Sequence, residues 1–251
     1  MDASFICFED LHKSFQENKV LRGVDLQVLR GETLVILGGS GSGKSVLLRH
    51  TIGLMVPDRG RVVVDGTDLT GLSEEDLMPV RKKIGMLFQG SALFDSMDVF
   101  ENVAYALREH TSLTEKEIQA RVRQKLSLVD LDESVERRMP ADLSGGMRKR
   151  VALARAIALE PEGILYDEPT TGLDPITALA INALIRNLQR TLSVTSVVVT
   201  HDIGSAFMVA DRIAFLHEGE MVFTGPVAEA RRSADPRLTA FLAAGNGRSH
   251  V

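Results

Sequence analysis

Between a short apolar run and a helical pattern, the chain reads Gly38-Gly39-Ser40-Gly41-Ser42-Gly43-Lys44-Ser45. This stretch matches the phosphate-loop pattern G-x-x-x-x-G-K-[ST] in the strand-to-helix context that the pattern requires. Glycine adopts backbone conformations closed to other residues, so its N–H groups can turn inward around an anion at the positive end of a helix. We expect Lys44 to reach the β- and γ-phosphates of a nucleotide and the Ser45 hydroxyl to ligate Mg²⁺, with nucleotide contacts continuing to Val46.

The alternative interpretation of this stretch is an ordinary Gly/Ser turn, which the apolar strand before it and the helical pattern after it disfavour. The stretch does not fit the dinucleotide fingerprint G-x-G-x-x-G, because Lys44 stands where that fingerprint needs glycine. A nicotinamide-dependent enzyme is therefore disfavoured.

A second apolar run, Ile164-Leu165-Tyr166, ends in two acids, Asp167 and Glu168. A carboxylate at this place can hold Mg²⁺, directly or through water, so Asp167 is a candidate metal ligand. Glu168 follows one residue later and is the candidate general base that polarises the attacking water. The alternative is two solvated acids at a strand end, and the phosphate loop in the same chain favours the catalytic interpretation.

Short apolar or β-branched runs alternate with helical periodicity along the chain. We predict strands at Val24–Leu29, Thr33–Leu37, Arg61–Val64, Ile84–Phe88, Ile164–Tyr166 and Val197–Val199, a hairpin from Ile213–Leu216 and Met221–Phe223, helices at Lys44–Ile52 and Pro175–Arg190, and a last helix to about Ala244 before a frayed tail. From Asp98 to Ala158 the pattern is helical almost throughout. Strands that alternate with helices predict an α/β fold with a largely parallel sheet, into which this helical block is inserted.

The composition is that of a globular protein: 44% hydrophobic and 25% charged residues exclude a disordered or coiled-coil chain. A net charge of −5 argues against general nucleic-acid binding, which depends on neutralising phosphates. Cys7 is the single cysteine, so an intrachain disulfide and a structural zinc site built on cysteines are excluded. We expect no secretory signal, and one of the longest charge-free stretches, between Asp174 and Arg186, is well short of the roughly 20 residues of a membrane-spanning helix.

Three further features resemble elements of the ATP-binding cassette (ABC) ATPases. The run Leu143-Ser144-Gly145-Gly146-Met147 resembles the family's signature sequence, Gln89 follows a strand as the Q-loop glutamine does, and His201 closes a strand as the switch histidine does. The order of these elements along the chain, with Leu173-Asp174 ahead of His201, is that of the family. The chain departs from the family at Met147, where glutamine is usual, and methionine lacks that residue's hydrogen-bond donor. We expect activity to survive this change, because the serine and the backbone do most of the binding.

The resemblance implies a P-loop NTPase fold with a RecA-like core and an N-terminal antiparallel β subdomain. In this interpretation one ABC ATP-binding domain spans residues 5–240. Its RecA-like core takes up about residues 1–89 and 159–225, and an inserted α-helical subdomain takes up about residues 90–158. Residues 226–251 are expected to form a C-terminal helix and a frayed tail.

The resemblance also implies an ATPase with ATP and Mg²⁺ as its cofactors. The catalytic residues expected from it are Lys44, Glu168 and His201, and the metal ligands are Ser45, Gln89 and Asp167. His201 is expected to donate to the γ-phosphate and to help orient the attacking water; a simple strand-end histidine is the alternative.

Other residues gain nucleotide-binding roles through the same resemblance. Phe15 falls where the family places an aromatic ring that stacks on adenine, and a core phenylalanine is the alternative. Two copies are expected to pack head to tail, so that the signature residues Ser144 to Met147 of one copy, including Gly145 and Gly146, cover the ATP of the other. Asp174 is expected to bridge the subunits near the nucleotide, with a solvated acid as the alternative.

The segments Phe88–Thr111 and Leu143–Asp174 resemble more narrowly the ATPase subunits of Mla-type phospholipid transporters, with other Mce-type systems as near neighbours. This implies a subunit that powers phospholipid movement between the inner and outer membranes and so maintains outer-membrane lipid asymmetry. The implied partners are a membrane permease, an Mce-domain protein and a small STAS-domain protein. The chain is then expected to lie peripherally on the cytoplasmic face of the bacterial inner membrane.

Two other functions stay open at this point. The chain can be the ATPase of another ABC transporter, such as another Mce-type lipid or sterol system or a polar amino acid importer. A non-transport cassette of DNA repair or translation is disfavoured by the chain length, the single cysteine and the acidic charge.

In the family, the segment after the Q-loop glutamine, here after Gln89, contacts a coupling helix of the permease. Its apolar side chains would suit a groove for an amphipathic helix, and they are Leu93, Phe94, Met97 and Phe100. The alternative is that these four side chains are simply core.

Overall fold

The computed structural model describes residues 4–246 of the chain. Its strands are β1 (Ser4–Phe15), β2 (Asn18–Leu29), β3 (Thr33–Leu37), β4 (Arg59–Val64), β5 (Thr67–Asp68), β6 (Ile84–Leu87), β7 (Gly163–Asp167), β8 (Thr195–Thr200), β9 (Arg212–His217) and β10 (Glu220–Pro226). Its helices are α1 (Lys44–Thr51), α2 (Glu74–Lys82), α3 (Val99–His110), α4 (Glu115–Leu128), α5 (Gly145–Ala156), α6 (Pro175–Leu192), α7 (Ile203–Val209), α8 (Val227–Ala230) and α9 (Pro236–Asn246). The predicted fraying of the last residues, 247–251, lies outside the described part of the chain.

The strands form two sheets. Four antiparallel strands lie in the order β2-β1-β4-β5, and six strands form a second sheet in the order β10-β9-β3-β8-β7-β6. In the second sheet β9, β3, β8, β7 and β6 pair in parallel, and β10 closes the edge as an antiparallel hairpin with β9. The predicted α/β fold with an N-terminal antiparallel β layer is therefore confirmed.

Strand β3 lies between two hydrophobic layers. Leu34 and Ile36 pack with the antiparallel sheet and α1, whereas Val35 and Leu37 pack with the helices on the other face of the sheet. A strand that is buried on both faces reads as a continuous apolar run, which is why the sequence pattern located it. Packing on both faces of β3 consequently fixes the position from which the backbone continues at residue 38.

The helical stretch after β6 consists of three helices with capped starts. Asp98 accepts a hydrogen bond from the N–H of Glu101 at the start of α3, and Thr114 and Glu117 form a capping box at the start of α4. These helices pack on one another, and α5 also contacts β6 and α6. None of the helices within residues 4–246 combines the length and the apolar character that crossing a bilayer requires.

Two helices and part of the first sheet do not follow from the sequence pattern. Helix α2 contains Pro79, a residue that normally disfavours a helix interior, and α7 has only seven residues. Strand β1 bends where Asp10 takes a left-handed backbone conformation (φ 46°), so its alternation of buried and exposed residues is interrupted. Strand β2 begins at Asn18, six residues before its predicted start.

Candidate active site

The phosphate-loop stretch forms the turn between β3 and α1. Gly43 is the residue before the helix and has φ +105°, and a Cβ atom there would lie 2.8 Å from Cδ2 of Leu21. Glycine is required at this position for both reasons. Because Gly43 has no side chain to cap α1, the first N–H groups of the helix point freely out of its end. This end of the helix is therefore suited to an anion.

Lys44 places a cation at the centre of this turn. Its Nζ donates to the carbonyl oxygens of Gly38 and Gly39, both at 2.9 Å, and lies 3.6 Å from Oε1 of Glu168. Only 6% of the residue is exposed. Burial lowers the pKa of Lys44, and the Glu168 carboxylate opposes that shift. A cation held away from water interacts strongly with phosphate, since its charge is less screened there.

The two carboxylates lie at the end of β7, which is buried along its whole length. Asp167 Oδ1 accepts a hydrogen bond of 2.8 Å from the Ser45 hydroxyl, so the acid and the phosphate loop meet directly. They meet because β3, β8 and β7 are neighbours and parallel, and their carboxyl ends share one edge of the sheet. Asp167 and Glu168 are both buried.

Glu168 has a strained backbone and a side chain held from several directions. Its φ is +48°, in the left-handed region that costs a non-glycine residue free energy and is found most often at functional sites. Its Oε2 accepts hydrogen bonds from His201 Nδ1 at 2.9 Å, Thr171 Oγ1 at 3.2 Å and Thr200 Oγ1 at 3.3 Å. The carboxylate is thus oriented by the end of β8 and by the loop that follows β7.

The donor set at Ser45 and Asp167 fits Mg²⁺. A hydroxyl and a carboxylate are hard oxygen ligands, and Mg²⁺ is usually held by one or two carboxylates together with substrate phosphates and water. Within residues 4–246 no group of three or more His, Cys, Asp or Glu side chains could hold a metal ion by itself.

Two predicted nucleotide contacts lie at the rim of this edge. Phe15 ends β1 and is 43% exposed, and it pairs in register with Asn18 across the β1–β2 turn. The same hairpin touches the phosphate loop, because the Val20 carbonyl would lie 3.1 Å from a Cβ at position 43. Gln89 has an exposed side chain, and its backbone carbonyl accepts a hydrogen bond from Lys149.

The signature residues lie apart from this cluster. Ser144 caps α5 by accepting from the N–H of Met147 at 3.2 Å, and Gly146 packs against Thr177 at the start of α6. Asp174 caps α6 and accepts from the N–H groups of residues 176 and 177 at 3.0 Å each; the Thr177 hydroxyl also lowers the pKa of Asp174. Among the hydrogen bonds of residues 4–246, none joins Ser144–Met147 to the phosphate loop. The signature run thus makes no direct hydrogen bond to the phosphate loop of its own subunit.

Lys149 was not predicted as a site residue. It is buried, its Nζ donates to the Gln89 carbonyl, and its charge interacts with the carboxylates of Asp167 and Glu168. Burial lowers the pKa of Lys149, and the two carboxylates oppose the shift. A signal was present in the chain: Lys149 stands three residues after Gly146 and three before Ala152, on the buried face of α5. A lysine on an otherwise apolar helix face is a candidate for a buried polar contact.

Comparison with known proteins assigns the family. The ABC transporter family model matches residues 21–171, which is more than half of the chain. The "Probable ribonucleotide transport ATP-binding protein mkl" of Mycobacterium bovis is 42% identical over 238 residues, and the match covers 95% of this chain but 65% of that protein. The "Intermembrane phospholipid transport system ATP-binding protein MlaF" of Escherichia coli is 41% identical over 240 residues, covering 96% of this chain and 89% of that protein. The chain thus spans about 65% of the length of the mycobacterial relative.

A solved structure agrees with this assignment. The ATP-binding cassette MJ0796, described as dimeric in a post-hydrolysis state with bound ADP and Pi, superposes with a TM-score of 0.81. The two proteins are 34% identical, and the match covers 88% of this chain and 98% of that one. The family predicted from the phosphate loop, the signature run and their order is confirmed. The chain belongs to the ABC transporter family.

Proposed function

We propose that the chain binds ATP with Mg²⁺ and hydrolyses it to power a phospholipid transporter. The observation that carries this proposal is a set of three contacts at one sheet edge. They join Ser45 Oγ to Asp167 Oδ1 at 2.8 Å, Lys44 Nζ to Glu168 Oε1 at 3.6 Å, and His201 Nδ1 to Glu168 Oε2 at 2.9 Å. These groups supply what phosphoryl transfer to water needs: a cation at the phosphates, hard oxygen ligands for a divalent metal, and a base.

The phosphate loop and Lys44 would hold the β- and γ-phosphates of ATP, and Phe15 would stack on the adenine. Ser45 and Asp167, joined by Gln89, would hold Mg²⁺, which supplies neutralisation of charge on the phosphate oxygens when it is bound. The buried position of Lys44 supports its role, since a desolvated ammonium stabilises phosphate charge more than an exposed one does.

Glu168 would accept the proton of the attacking water. Three donors hold its Oε2, so Oε1, which faces Lys44, is the oxygen left to face the γ-phosphate site. His201 contacts this carboxylate through Nδ1 in the structure, and with ATP bound its single ring N–H would instead donate to the γ-phosphate. A base held in one orientation next to the phosphates meets the geometric requirement of general base catalysis.

A second copy of the chain would complete the site. The serine-capped start of α5 offers backbone N–H groups to an anion, and it has no hydrogen bond to the phosphate loop of its own subunit. In a head-to-tail pair, Ser144, Gly145, Gly146 and Met147 of one copy would cover the ATP of the other, with Asp174 beside them. The MJ0796 cassette is described as dimeric, and this supports the arrangement.

The cargo and the partners are proposed from the relatives and from one surface. The match to MlaF covers most of both chains, and its name states intermembrane phospholipid transport. Phe94 is 42% exposed and its ring lies 5.2 Å from that of Tyr105, also exposed, so these rings offer an apolar surface to a permease helix. Of the four residues predicted for this groove, Phe100 is instead a core residue, because it packs inside the main hydrophobic cluster.

The assembled transporter would contain two copies of the chain, a membrane permease, an Mce-domain protein and a small STAS-domain protein. The chain itself would lie on the cytoplasmic face of the bacterial inner membrane. This location follows from where ATP is available and from the partners, and it places the Phe94 and Tyr105 rings against the permease.

The test is reconstitution of the purified complex in vesicles of phosphatidylethanolamine and phosphatidylglycerol. We expect transfer of phospholipid between vesicles and the Mce-domain protein to require ATP and Mg²⁺, and to stop when the cassette carries Lys44→Ala. Co-purification with a solute-binding protein, or uptake of a nucleotide or amino acid in place of lipid, would instead support another ABC transporter. Lipid transfer at an unchanged rate with Lys44→Ala would refute the role of ATP hydrolysis.

A further inference from the structure

The segment between β6 and α3, residues 88–98, has no helix or strand of its own, and its backbone is held by side chains from elsewhere. Lys149 of α5 donates to the carbonyl of Gln89. Arg155, also on α5, donates through Nη1 to the carbonyl of Ala92 at 2.9 Å and through Nη2 to the carbonyl of Ser91 at 3.1 Å. An irregular backbone lacks ladder partners, so such side chains decide its conformation.

The part of the segment held by Arg155 is also its strained part. Ser91 and Ala92 are consecutive residues in the left-handed region, with φ of 66° and 50°. Neither is glycine, so this conformation is unfavourable unless the surroundings hold it in place. The two Nη atoms of one guanidinium bind the carbonyls of both residues, and this contact helps to hold the unfavourable conformation.

The same guanidinium touches the proposed permease surface. Its central carbon lies 5.5 Å from the centroid of the Phe94 ring, and this places the cation on an aromatic face. On the far side of the segment, the buried Asn102 of α3 accepts from the Phe94 N–H at 2.8 Å and donates to the Phe94 carbonyl at 3.1 Å. Phe94 is thus fixed between α3 and Arg155.

We propose that Arg155 is a positioning residue that ties the signature helix to the permease-facing segment of the same subunit. Helix α5 starts at the Ser144 cap and carries Arg155 near its other end. Because one continuous helix moves as a unit, a shift at Ser144 also moves the guanidinium, and with it the backbone of Ser91 and Ala92. The inference rests on the proposed function only in assigning Phe94 to a permease contact and Ser144 to a partner's nucleotide.

The residue type matters for this role. A lysine keeps the charge, but it is a point cation on a flexible stem and lacks the planar fork that binds two carbonyls while lying on a ring. Helix α5 provides a matched control in Arg150, whose Nη1 donates to the Val129 carbonyl at 3.1 Å behind α4. Arg150 also pairs with the Asp130 carboxylate at 3.0 Å, so it is an anchored arginine of the same helix that does not contact residues 88–98.

The experiment measures amide hydrogen exchange with and without ATP and Mg²⁺, in a Glu168→Gln background that retains nucleotide. The reporter amides are those of Ser91, Phe94 and Met97, which all donate hydrogen bonds within the segment or to Asn102. We expect ATP to change their exchange rates in the parent protein. With Arg155→Lys or Arg155→Gln the rates should rise at least tenfold and the response to ATP should vanish, while ATP affinity stays within twofold. Arg150→Lys should behave as the parent.

Parent-like exchange rates and an unchanged ATP response in both Arg155 variants would overturn the proposal. If neither variant folds, the side-chain NMR signals of Arg155 in the unmodified chain test the proposal instead. Two distinct Nη signals in slow exchange are expected, and one averaged signal would refute the proposed positioning role. A wild-type complex that moves no phospholipid would refute the proposed function alone, since none of these readouts depends on lipid.

Discussion

Replacing Glu168 by glutamine tests the catalytic proposal at its centre. The amide has the size of the carboxylate, so it can keep the left-handed backbone and accept the hydrogen bonds of His201 and the two threonines through its oxygen. Its NH₂ group then faces Lys44, where the carboxylate Oε1 now lies 3.6 Å from the ammonium. The variant should therefore stay folded, yet it presents no base to a water molecule near the phosphates.

The size of the effect follows from what is lost. A positioned general base contributes about 10²–10⁴ in rate, which is ~3–5 kcal/mol of activation free energy. We expect single-turnover hydrolysis to slow by that factor, while ATP binding is retained, because the phosphate loop and Lys44 are untouched. Retained ATP should favour the closed head-to-tail pair, so the variant should elute as a dimer with ATP and Mg²⁺.

Quenched-flow hydrolysis with radiolabelled ATP measures the rate, and size-exclusion chromatography measures the pairing. A matched control is Glu218→Gln, since Glu218 also has φ +48° but lies exposed in the β9–β10 turn. The control should hydrolyse ATP at the wild-type rate. A Glu168→Gln rate within threefold of wild type would refute the assignment of Glu168 as the base.

Three further predictions concern Lys44, Phe94 and Asn102. Lys44→Ala should weaken ATP binding by about 3 kcal/mol, roughly 100-fold, because charge-assisted contacts to the phosphates are lost; fluorescent-nucleotide titration measures this. Phe94→Asp should leave ATP affinity unchanged and weaken assembly with the permease at least tenfold in pull-downs, and an intact complex at unchanged yield would make Phe94 a packing residue only. Asn102→Leu should lower the free energy of unfolding in urea by about 3 kcal/mol, because the backbone N–H and carbonyl of Phe94 lose the Asn102 side chain as their partner. The control Asn187→Leu, at an exposed position, should change the free energy of unfolding by less than about 0.5 kcal/mol.

The parts of the fold that the sequence predicted are those with a local cause. Strands β3, β7 and β8 are buried on both faces, and this makes them continuous apolar runs that can be located without a structure. Helix α6 was located because Pro175 suits the first turn of a helix, and the structure shows in addition that Asp174 caps it. Ser45 and Asp167 were each predicted to hold Mg²⁺, and the structure brings them into contact because parallel strands end at one edge of the sheet.

The parts that were missed depend on contacts between distant residues. Lys149 is 60 residues from Gln89 along the sequence, and no local pattern predicts which carbonyl a buried lysine will bind. The resemblance assigned His201 to the γ-phosphate, and its contact with Glu168 appears only once β7 and β8 lie side by side. Phe94 and Phe100 look alike in the sequence, but Phe94 lies exposed in the irregular segment before α3, whereas Phe100 lies on α3 and faces the core.

The packing of Gly146 changes how the signature sequence should be used as a marker. A Cβ atom at this position would lie 2.5 Å from the methyl carbon of Thr177, so any side chain would force the Thr177 side chain to move. The glycine is thus demanded by the interior of a single subunit, whether or not nucleotide ever approaches it. A cassette that had lost hydrolysis could keep this glycine for packing alone, which makes it a poor indicator of activity in degenerate copies, and Ser144 a better one.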